Sequence, residues 1–378
     1  MQSRPAMTCQ NVRYAAKHER TKVHNMLNND LPAPEDLDRR VATFLAGSGE
    51  AFSGAYLVAI NGALRLRGAR GLANREFEVP NQPSTRFRIG SITKQFTAAV
   101  ILLLAEEKLV ALDEPIGRFL PETNNAWHDV TLRMLLCHRS GIPSYTSLQD
   151  FLKEISKIDR TPLEVVELVR ELPLDFIPGS RALYSNSGYT LLGCVVEQVC
   201  AQSYTEVLAS RLFEPLGMAD TGYDDGLALV PSLANGYIYD DGGWLRASHI
   251  AMSLPFAAGG LYSTVDDLAR WHCALHEGPL LHQNSRSVMF ADHGDGMGFG
   301  IMVKQNKPLI RFHGGAINGF VAAASRVIDE NQTADVIVLS NNGNADPKLK
   351  ADPFYISNGL LALASGDPVA APGNMLFS

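Results

Sequence analysis

The pattern of apolar positions divides the chain into helical and strand-like stretches. One helical stripe near the start has apolar residues at i, i+4, i+7 and i+8, namely Leu37, Val41, Phe44 and Leu45. Two strand-like segments, 55–60 and 63–67, then flank Asn61-Gly62, a dipeptide typical of a tight hairpin turn. A helix, two strands and a further apolar run at 96–104 predict an α+β beginning.

The middle and the end of the chain differ in pattern. Helical segments separated by Pro and Gly predominate from about residue 113 to 249, and two of them begin with capping boxes, at 161–164 and 203–206. Beyond residue 250 the pattern returns to strands, whose short connections predict an antiparallel meander. The predicted strands are 297–303, 309–312, 320–327 and 334–339, and a last helix runs from Asp352-Pro353 to Gly366.

The simplest architecture for this order is an α+β fold. We expect an antiparallel β-sheet flanked by N- and C-terminal helices, with an inserted, mostly helical domain. The sheet domain is predicted to comprise residues 35–112 and 250–366, and the helical domain residues 113–249. Residues 1–34 are expected to form a loose N-terminal arm and residues 367–378 a C-terminal tail.

Composition and charge narrow the classes of ligand. The chain has 378 residues, of which 46% are hydrophobic, so it can bury a large core. Its formal net charge is −7 without any block of like charges, which argues against a nucleic-acid partner or an anionic membrane surface. No run of residues approaches a membrane span. Small neutral or mixed-charge molecules are better candidates for a ligand, and the oligomeric state is left open.

The cysteines and the first residues bear on the cellular compartment. The five cysteines are odd in number and show neither a C-x-x-C pair nor a metal-like spacing with histidine. Free, mostly buried thiols are therefore expected, which fits a reducing compartment. The first 34 residues contain no apolar core of a signal peptide, so we expect a cytoplasmic location, or a periplasmic or secreted one if a leader was removed.

The first candidate for chemistry is Ser91-Ile92-Thr93-Lys94, just before the apolar run. A serine at the start of a buried helix, with a lysine one turn later, places hydroxyl and amine on the same face. Such a pair suits a nucleophile with its own base, and the N–H groups of the helix N-terminus favour an oxyanion nearby. Serine and lysine are common, so a chance match remains the alternative.

Tyr184-Ser185-Asn186 is the second candidate, on a predicted loop before the helix that contains Cys194. A tyrosine hydroxyl aimed at Ser91 and Lys94 can relay a proton, and an asparagine amide can hold a lysine or a substrate carbonyl. The alternative is a buried tyrosine with a satisfied hydroxyl beside a turn-forming asparagine.

The third candidate is His313-Gly314-Gly315-Ala316, directly after the predicted strand 309–312. Glycines there allow a substrate to approach a strand edge closely, and the N–H of Ala316 can serve as a second oxyanion donor beside that of Ser91. An ordinary Gly-Gly turn between two strands is the alternative.

In order and surroundings these motifs resemble the serine β-lactamase and penicillin-binding-protein-like hydrolases, in particular the class C β-lactamase-like branch with its carboxylesterases and D-amino-acid-specific peptidases. The resemblance spans roughly residues 37–365. Single motifs are weak, but six in the same order are specific. They are Phe87–Lys94, Leu135–Ile142, Pro178–Tyr189, Pro215–Met218, Gly259–Leu261 with Ser263 and Asp267, and His313–Phe320.

The resemblance implies roles for the candidate residues. Ser91 would form an acyl-enzyme, Lys94 and Tyr184 would share the general-base and general-acid work, and Asn186 would orient lysine and substrate. The N–H groups of Ser91 and Ala316 would form the oxyanion hole. No metal or organic cofactor is expected.

The departures from the family pattern concern the substrate. His313 stands where most β-lactamases have the lysine of Lys-Thr-Gly, and Gly314 supplies no hydroxyl, with Gly315 completing the predicted substrate-binding segment. The chain thus lacks a permanent cation and a hydrogen-bond donor for the anionic end of β-lactams and D-Ala-D-Ala termini, although His313 can be charged at low pH. We therefore expect small acyl esters as substrates.

Three alternatives stay open at this point. Within the enzyme class they are a D-amino-acid-specific amidase or peptidase and a true β-lactamase. From a different class comes a catalytically idle family member kept for ligand binding, which a covalent serine probe would distinguish by failing to label it.

Other residues have mainly structural interpretations. His138 is expected to hold its loop by hydrogen bonds. Tyr145, Trp244 and Tyr262 would either line an acyl pocket or pack.

Overall fold

The computed structural model describes residues 35–121, 124–240, 243–330, 332–344, 348 and 350–366. The predicted N-terminal arm and C-terminal tail lie outside the described residues. The helices are α1 (Glu35–Ala46), α2 (Thr93–Glu106), α3 (Leu132–Leu136), α4 (Pro162–Arg170), α5 (Asn186–Cys200), α6 (Tyr204–Leu208), α7 (Glu214–Leu216), α8 (Phe256–Gly259), α9 (Val265–His276), α10 (Gln283–Met289) and α11 (Pro353–Ser365).

The strands come from both ends of the chain and from short segments between them. They are β1 (Gly54–Ile60), β2 (Ala63–Arg70), β3 (Leu72–Asn74), β4 (Val79–Pro80), β5 (Phe87–Arg88), β6 (Gly222–Tyr223), β7 (Tyr237–Asp240), β8 (Gly243–Arg246), β9 (Leu261–Ser263), β10 (Met302–Lys304), β11 (Leu309–Ile317), β12 (Phe320–Ile328) and β13 (Thr333–Ser340). A six-stranded sheet has the order β10-β11-β12-β13-β1-β2, with every neighbouring pair antiparallel.

Helices cover both faces of this sheet. Along β13, Val336 and Val338 face a core with α1 and α11, whereas Ile337 and Leu339 face the larger core on the other side. The predicted α+β architecture, with terminal helices against an antiparallel sheet, is therefore confirmed. The division into a sheet domain and a helical domain at residues 112/113 and 249/250 stays a prediction.

The helix that follows the first candidate motif lies in the larger core. Nearly every residue of α2 is buried, as expected for a helix that is apolar on all sides. Trp271 of α9 stacks on Phe96 with ring centroids 4.0 Å apart and donates to Gln95 at 2.9 Å. These contacts fix α2, and with it the position of Lys94.

Local signals in the sequence were accurate at turns and caps. Asn61 and Gly62 have φ angles of 51° and 74°, which form the predicted hairpin between β1 and β2. Thr161 and Ser203 both make complete capping boxes. Gly366 ends α11 with φ 83°, as the left-handed position after a helix requires.

Two predictions about elements were wrong. The strand predicted at 297–303 is confined to β10, because the positive φ angle of Gly300 interrupts an extended chain. The strand predicted to end at residue 312 continues to Ile317, so the glycines of 313–316 lie within β11 and not in a turn. The middle stretch also contains the hairpin β7–β8 besides its helices.

Other described features bear on the predicted ligands and cysteines. Cys137, Cys194 and Cys200 are free thiols. Burial raises the pKa of Cys137 to about 11 and that of Cys194 to about 12. Across the part of the chain that the structure describes, no cluster of side chains suits a metal ion, and no helix has the length and apolar character to span a membrane.

Candidate active site

Two glycines bring the start of α2 against the sheet. Ser91 lies in a 3-10 turn, Gly90–Ile92, that connects β5 to α2. A Cβ on Gly90, which has φ 49°, would lie 2.8 Å from the backbone nitrogen of Ala316, and one on Gly315 would lie 1.9 Å from the carbonyl oxygen of Ile89. Only glycine permits this approach, which places Ser91 and Ala316 beside each other.

The ladder between β11 and β12 directs the Ala316 N–H. Ala316 lies opposite Val321, one step from the pair Ile317/Phe320 that closes the two-residue turn. Because hydrogen-bonded and non-hydrogen-bonded pairs alternate in an antiparallel ladder, Ala316 occupies a non-hydrogen-bonded position. Its N–H therefore points away from β12, on the side where Gly90 approaches, as a second oxyanion donor requires.

Lys94 is fully buried among neutral partners. Its Nζ lies 3.1 Å from Ser91 Oγ, 2.8 Å from Asn186 Oδ1 and 2.7 Å from the carbonyl oxygen of Ala258. Burial holds the pKa of this amine well below its usual range. A neutral amine has two N–H donors and one lone pair. With the donors used by Asn186 and Ala258, the lone pair can accept the Ser91 hydroxyl proton.

Tyr184 adds a proton donor to this cluster. Its ring centroid lies 4.8 Å from Lys94 Nζ, and its hydroxyl is buried, with the Ser91 hydroxyl nearby but no hydrogen bond of ordinary length to a described residue. Burial raises the pKa of Tyr184, and the nearby Ser91 hydroxyl offsets part of this rise. The phenol is therefore protonated at neutral pH, with its hydrogen bond left for a group that enters the site.

Asn186, the first residue of α5, has both ends of its amide engaged. Its Oδ1 accepts from Lys94, and its Nδ2 donates to Thr146 Oγ1 at 2.9 Å. Its backbone N–H donates to Ser144 Oγ at 3.1 Å. These contacts hold the amide in one orientation, in which its oxygen faces the lysine. Because the residue is an asparagine, that oxygen carries no charge.

His313 is buried near Tyr184, with ring centroids 6.2 Å apart. It is 3% exposed, and burial, with a smaller effect from Lys94, lowers its pKa to about 4. At neutral pH it therefore carries no charge. A Cβ on the next residue, Gly314, would lie 3.1 Å from the Phe354 ring of α11, so position 314 faces that helix.

The cleft itself has a volume of about 540 Å³. Of the predicted site residues, Ser91, Asn186 and Ala316 border it, whereas Lys94, Tyr184, His313, Gly314 and Gly315 do not. Its other described walls are uncharged, and most of their side chains are apolar. They are Tyr145, Thr146, Phe151, Leu152, Ile238, Ala247, Ser248, Ile250, Leu254, Pro255, Ala258, Gly259, Ile317, Asn318, Gly319, Phe320 and Gly343.

Comparison with known families assigns the chain. The family model described as Beta-lactamase matches residues 37–359. The chain belongs to the beta-lactamase family. The family and the relatives below are hydrolases of the serine β-lactamase and penicillin-binding-protein type, so the chain is a hydrolase of this fold.

Solved structures and curated relatives agree with this assignment. D-amino acid amidase from Ochrobactrum anthropi SV3 is 26% identical with a TM-score of 0.74, over 88% of this chain and 98% of that one. The octameric penicillin-binding protein homologue from Pyrococcus abyssi is 27% identical with a TM-score of 0.73, over 88% and 78%. Teichoic acid D-alanine hydrolase from Staphylococcus aureus is 24% identical over 335 residues, which cover 87% of this chain and 79% of the relative.

Two contributors to the site of this beta-lactamase-family chain were missed by the sequence analysis. Thr146 fixes the Asn186 amide, and Ala258 supplies a backbone carbonyl to Lys94. A carbonyl contact leaves no side-chain signal, although Ala258 directly precedes the Gly259-Gly260 pair. Of the three aromatic residues considered for the pocket, Tyr145 borders the cleft, whereas Trp244 packs on Arg75 and Tyr262 lies in β9.

Proposed function

We propose that this protein hydrolyses small, uncharged acyl esters through an acyl-enzyme on Ser91. The observation that carries the proposal is the 3.1 Å contact between Ser91 Oγ and the amine of Lys94, which is buried among neutral partners. A lysine whose pKa is depressed in this way is neutral often enough to act as a base near pH 7.

The proposed reaction has two halves, acylation of Ser91 and hydrolysis of the acyl-enzyme, and both use the same groups. Ser91 Oγ attacks the acyl carbon while its proton passes to Lys94 Nζ, and the N–H groups of Ser91 and Ala316 stabilise the oxyanion. The bond to the leaving oxygen then breaks, and the Tyr184 hydroxyl protonates that oxygen, its own proton being replaced from Lys94. Water attacks the acyl-enzyme by the reverse proton path and releases the acid.

The walls of the cleft support an uncharged substrate. Among the described residues that border it, none is charged. A carboxylate on the substrate would lose its hydration without meeting a cation, because His313 is buried and neutral. Tyr145, Phe151 and Leu254 instead present apolar surface to an acyl chain.

The names of the relatives favour a second candidate, a hydrolase of D-aminoacyl groups. The O. anthropi amidase and the S. aureus hydrolase both carry a D-amino acid in their names. An aminoacyl substrate brings a cationic amine, for which the described walls offer carbonyl and hydroxyl oxygens but no carboxylate. We therefore rank this candidate second and a β-lactamase third.

A turnover assay on four substrates tests these candidates side by side. The substrates are p-nitrophenyl acetate, p-nitrophenyl butyrate, a D-alanyl anilide and nitrocefin, each with wild type and the Ser91→Ala variant. We expect turnover of both esters, loss of that turnover in Ser91→Ala by more than about 10³-fold, and slow or no hydrolysis of the other two.

The outcomes separate chemistry from specificity. Ester turnover by Ser91→Ala within about tenfold of wild type would refute the nucleophile. Turnover of the D-alanyl anilide above that of the esters, with the same dependence on Ser91, would keep the mechanism and move the substrate to the second candidate.

The cytoplasmic location inferred from the sequence also stays a prediction.

A further inference from the structure

His138 occupies an unusual backbone conformation beside the candidate site. It follows α3 with φ 57°, a left-handed position that is usually taken by glycine or asparagine after a helix. Its side chain is nevertheless large and buried. A strained residue of this kind persists where its surroundings fix it, and such strain is concentrated at functional sites.

The residues on both sides of Tyr184 donate backbone hydrogen bonds to His138. The backbone N–H of Leu183 donates to the His138 carbonyl oxygen at 2.9 Å. The backbone N–H of Ser185 donates to His138 Nδ1 at 3.2 Å. His138 therefore holds the backbone immediately before and immediately after the tyrosine. Its left-handed conformation directs both acceptors, the carbonyl oxygen and Nδ1, towards residues 183–185.

The imidazole also contacts the phenol directly. The ring centroids of His138 and Tyr184 lie 4.4 Å apart with an interplanar angle of 30°. Nδ1 accepts a hydrogen bond, and burial, with Lys94 and His313 nearby, holds the pKa of His138 well below its usual range, so the ring is neutral. The Tyr184 ring is thus fixed through its backbone and through one of its faces.

We propose that His138 is a positioning residue, which orients Tyr184 so that its unpartnered hydroxyl meets the leaving oxygen of the substrate. The inference rests on the proton-donating role of Tyr184 under the proposed function. His138 itself touches neither substrate nor reacting atoms in this scheme. It acts only through the tyrosine, so its effect disappears when the tyrosine hydroxyl is removed.

A double-mutant cycle tests that dependence. In His138→Asn the new side chain tolerates the left-handed conformation, and its Oδ1 can take the place of Nδ1, so the ring is the main loss. We expect kcat on p-nitrophenyl butyrate to fall about 10- to 100-fold, with KM within about twofold of wild type. In a Tyr184→Phe background the same substitution is expected to change kcat by less than about twofold.

Two further variants separate positioning from stability. His138→Gly relieves the backbone strain but removes both the ring and its acceptor, so we expect a larger loss of kcat than in His138→Asn. His282→Asn makes the same exchange at a histidine that is mostly exposed, and it should leave kcat unchanged. The melting temperature of each variant shows whether activity and stability change together.

Equal losses of kcat from His138→Asn in both backgrounds would overturn the positioning role, and so would no loss in the wild-type background. A Tyr184→Phe variant with full activity would overturn the relay itself, and the role of His138 with it. Loss of activity in Ser91→Ala and Tyr184→Phe, together with an additive cycle, would leave the proposed function standing and reject only the role of His138.

Discussion

Two buried basic side chains of this protein have opposite surroundings. Lys94 and Arg326 are 0% and 3% exposed. Arg326 makes an ion pair with Glu277 and lies 3.6 Å from Asp335, whereas the hydrogen-bond partners of Lys94 among the described residues are all neutral oxygens. A paired buried charge stays charged, but an amine buried without a counter-charge loses its proton more easily. The neutral character of the described groups that bind Lys94 is therefore what makes that lysine a candidate base.

Removing the amine gives the largest expected effect. We expect Lys94→Met to lower kcat/KM for p-nitrophenyl acetate by about 10³- to 10⁴-fold, because the proposed base is lost. The free energy of unfolding should change by less than about 1 kcal/mol, since relief of a desolvated amine offsets the unpaired oxygens of Asn186 and Ala258. Ester assays and urea unfolding measure both quantities. Activity within tenfold of wild type would contradict the assignment of Lys94 as base.

The same substitution at Arg326 should have the reverse consequence. Arg326→Met removes the guanidinium beside Asp335 and Glu277, so we expect the free energy of unfolding to fall by about 3 kcal/mol. The value of kcat should stay within about threefold, because Arg326 lies five residues along β12 from Val321, the residue that pairs with Ala316. Urea unfolding and the ester assay again provide the measurement. A fall in kcat of much more than threefold, with little change in the free energy of unfolding, would remove the contrast between the two side chains.

Giving Lys94 a counter-charge should shift its titration. In Asn186→Asp a carboxylate replaces the amide oxygen that lies 2.8 Å from Nζ, and it raises the pKa of the lysine. Only the neutral amine can accept the serine proton, so kcat/KM falls by about tenfold per pH unit below the pKa of the lysine. When that pKa rises, this acidic limb of the profile moves to higher pH. We expect about 10²-fold less activity at pH 7, with recovery as the pH rises.

The control for this shift is Asn358→Asp, which makes the same exchange on α11. It should leave the pH profile of kcat/KM unchanged. An Asn186→Asp profile that only drops in height, without moving along the pH axis, would show that the amide acts on the substrate and not on the pKa of Lys94.

The smallest effect is expected at Thr146. Thr146→Val keeps the shape of the side chain but removes the acceptor for Asn186 Nδ2, a hydrogen bond of about 1 kcal/mol. We expect kcat to fall by about 3- to 10-fold, measured on p-nitrophenyl acetate, with Thr205→Val, the same exchange at a half-buried threonine of α6, as the control. An unchanged kcat would mean that Lys94 and Ser144 suffice to hold Asn186.

Local spacing explains what could be read from the sequence. Ser91 and Lys94 are three residues apart, so any helical turn brings them together, and Nζ indeed lies 3.1 Å from Oγ. The turn at Asn61-Gly62 and the cap at Thr161 depend on a few adjacent residues in the same way. The histidine and glycines of 313–316 were recognised as a candidate segment, but their place inside β11 depends on pairing with β12 and was missed.

The sequence by itself thus determined the α+β architecture, the Ser91–Lys94 pair and the capped helices, since periodicity and short spacing act within one element. The tertiary structure alone decided which residues meet at the candidate site and which groups surround Lys94. The approach of Gly90 to Ala316 joins residues more than 200 positions apart, and the neutral surroundings of Lys94 come from α5 and α8. A pKa depends on which groups surround a side chain in space, and no local pattern in the sequence encodes those groups.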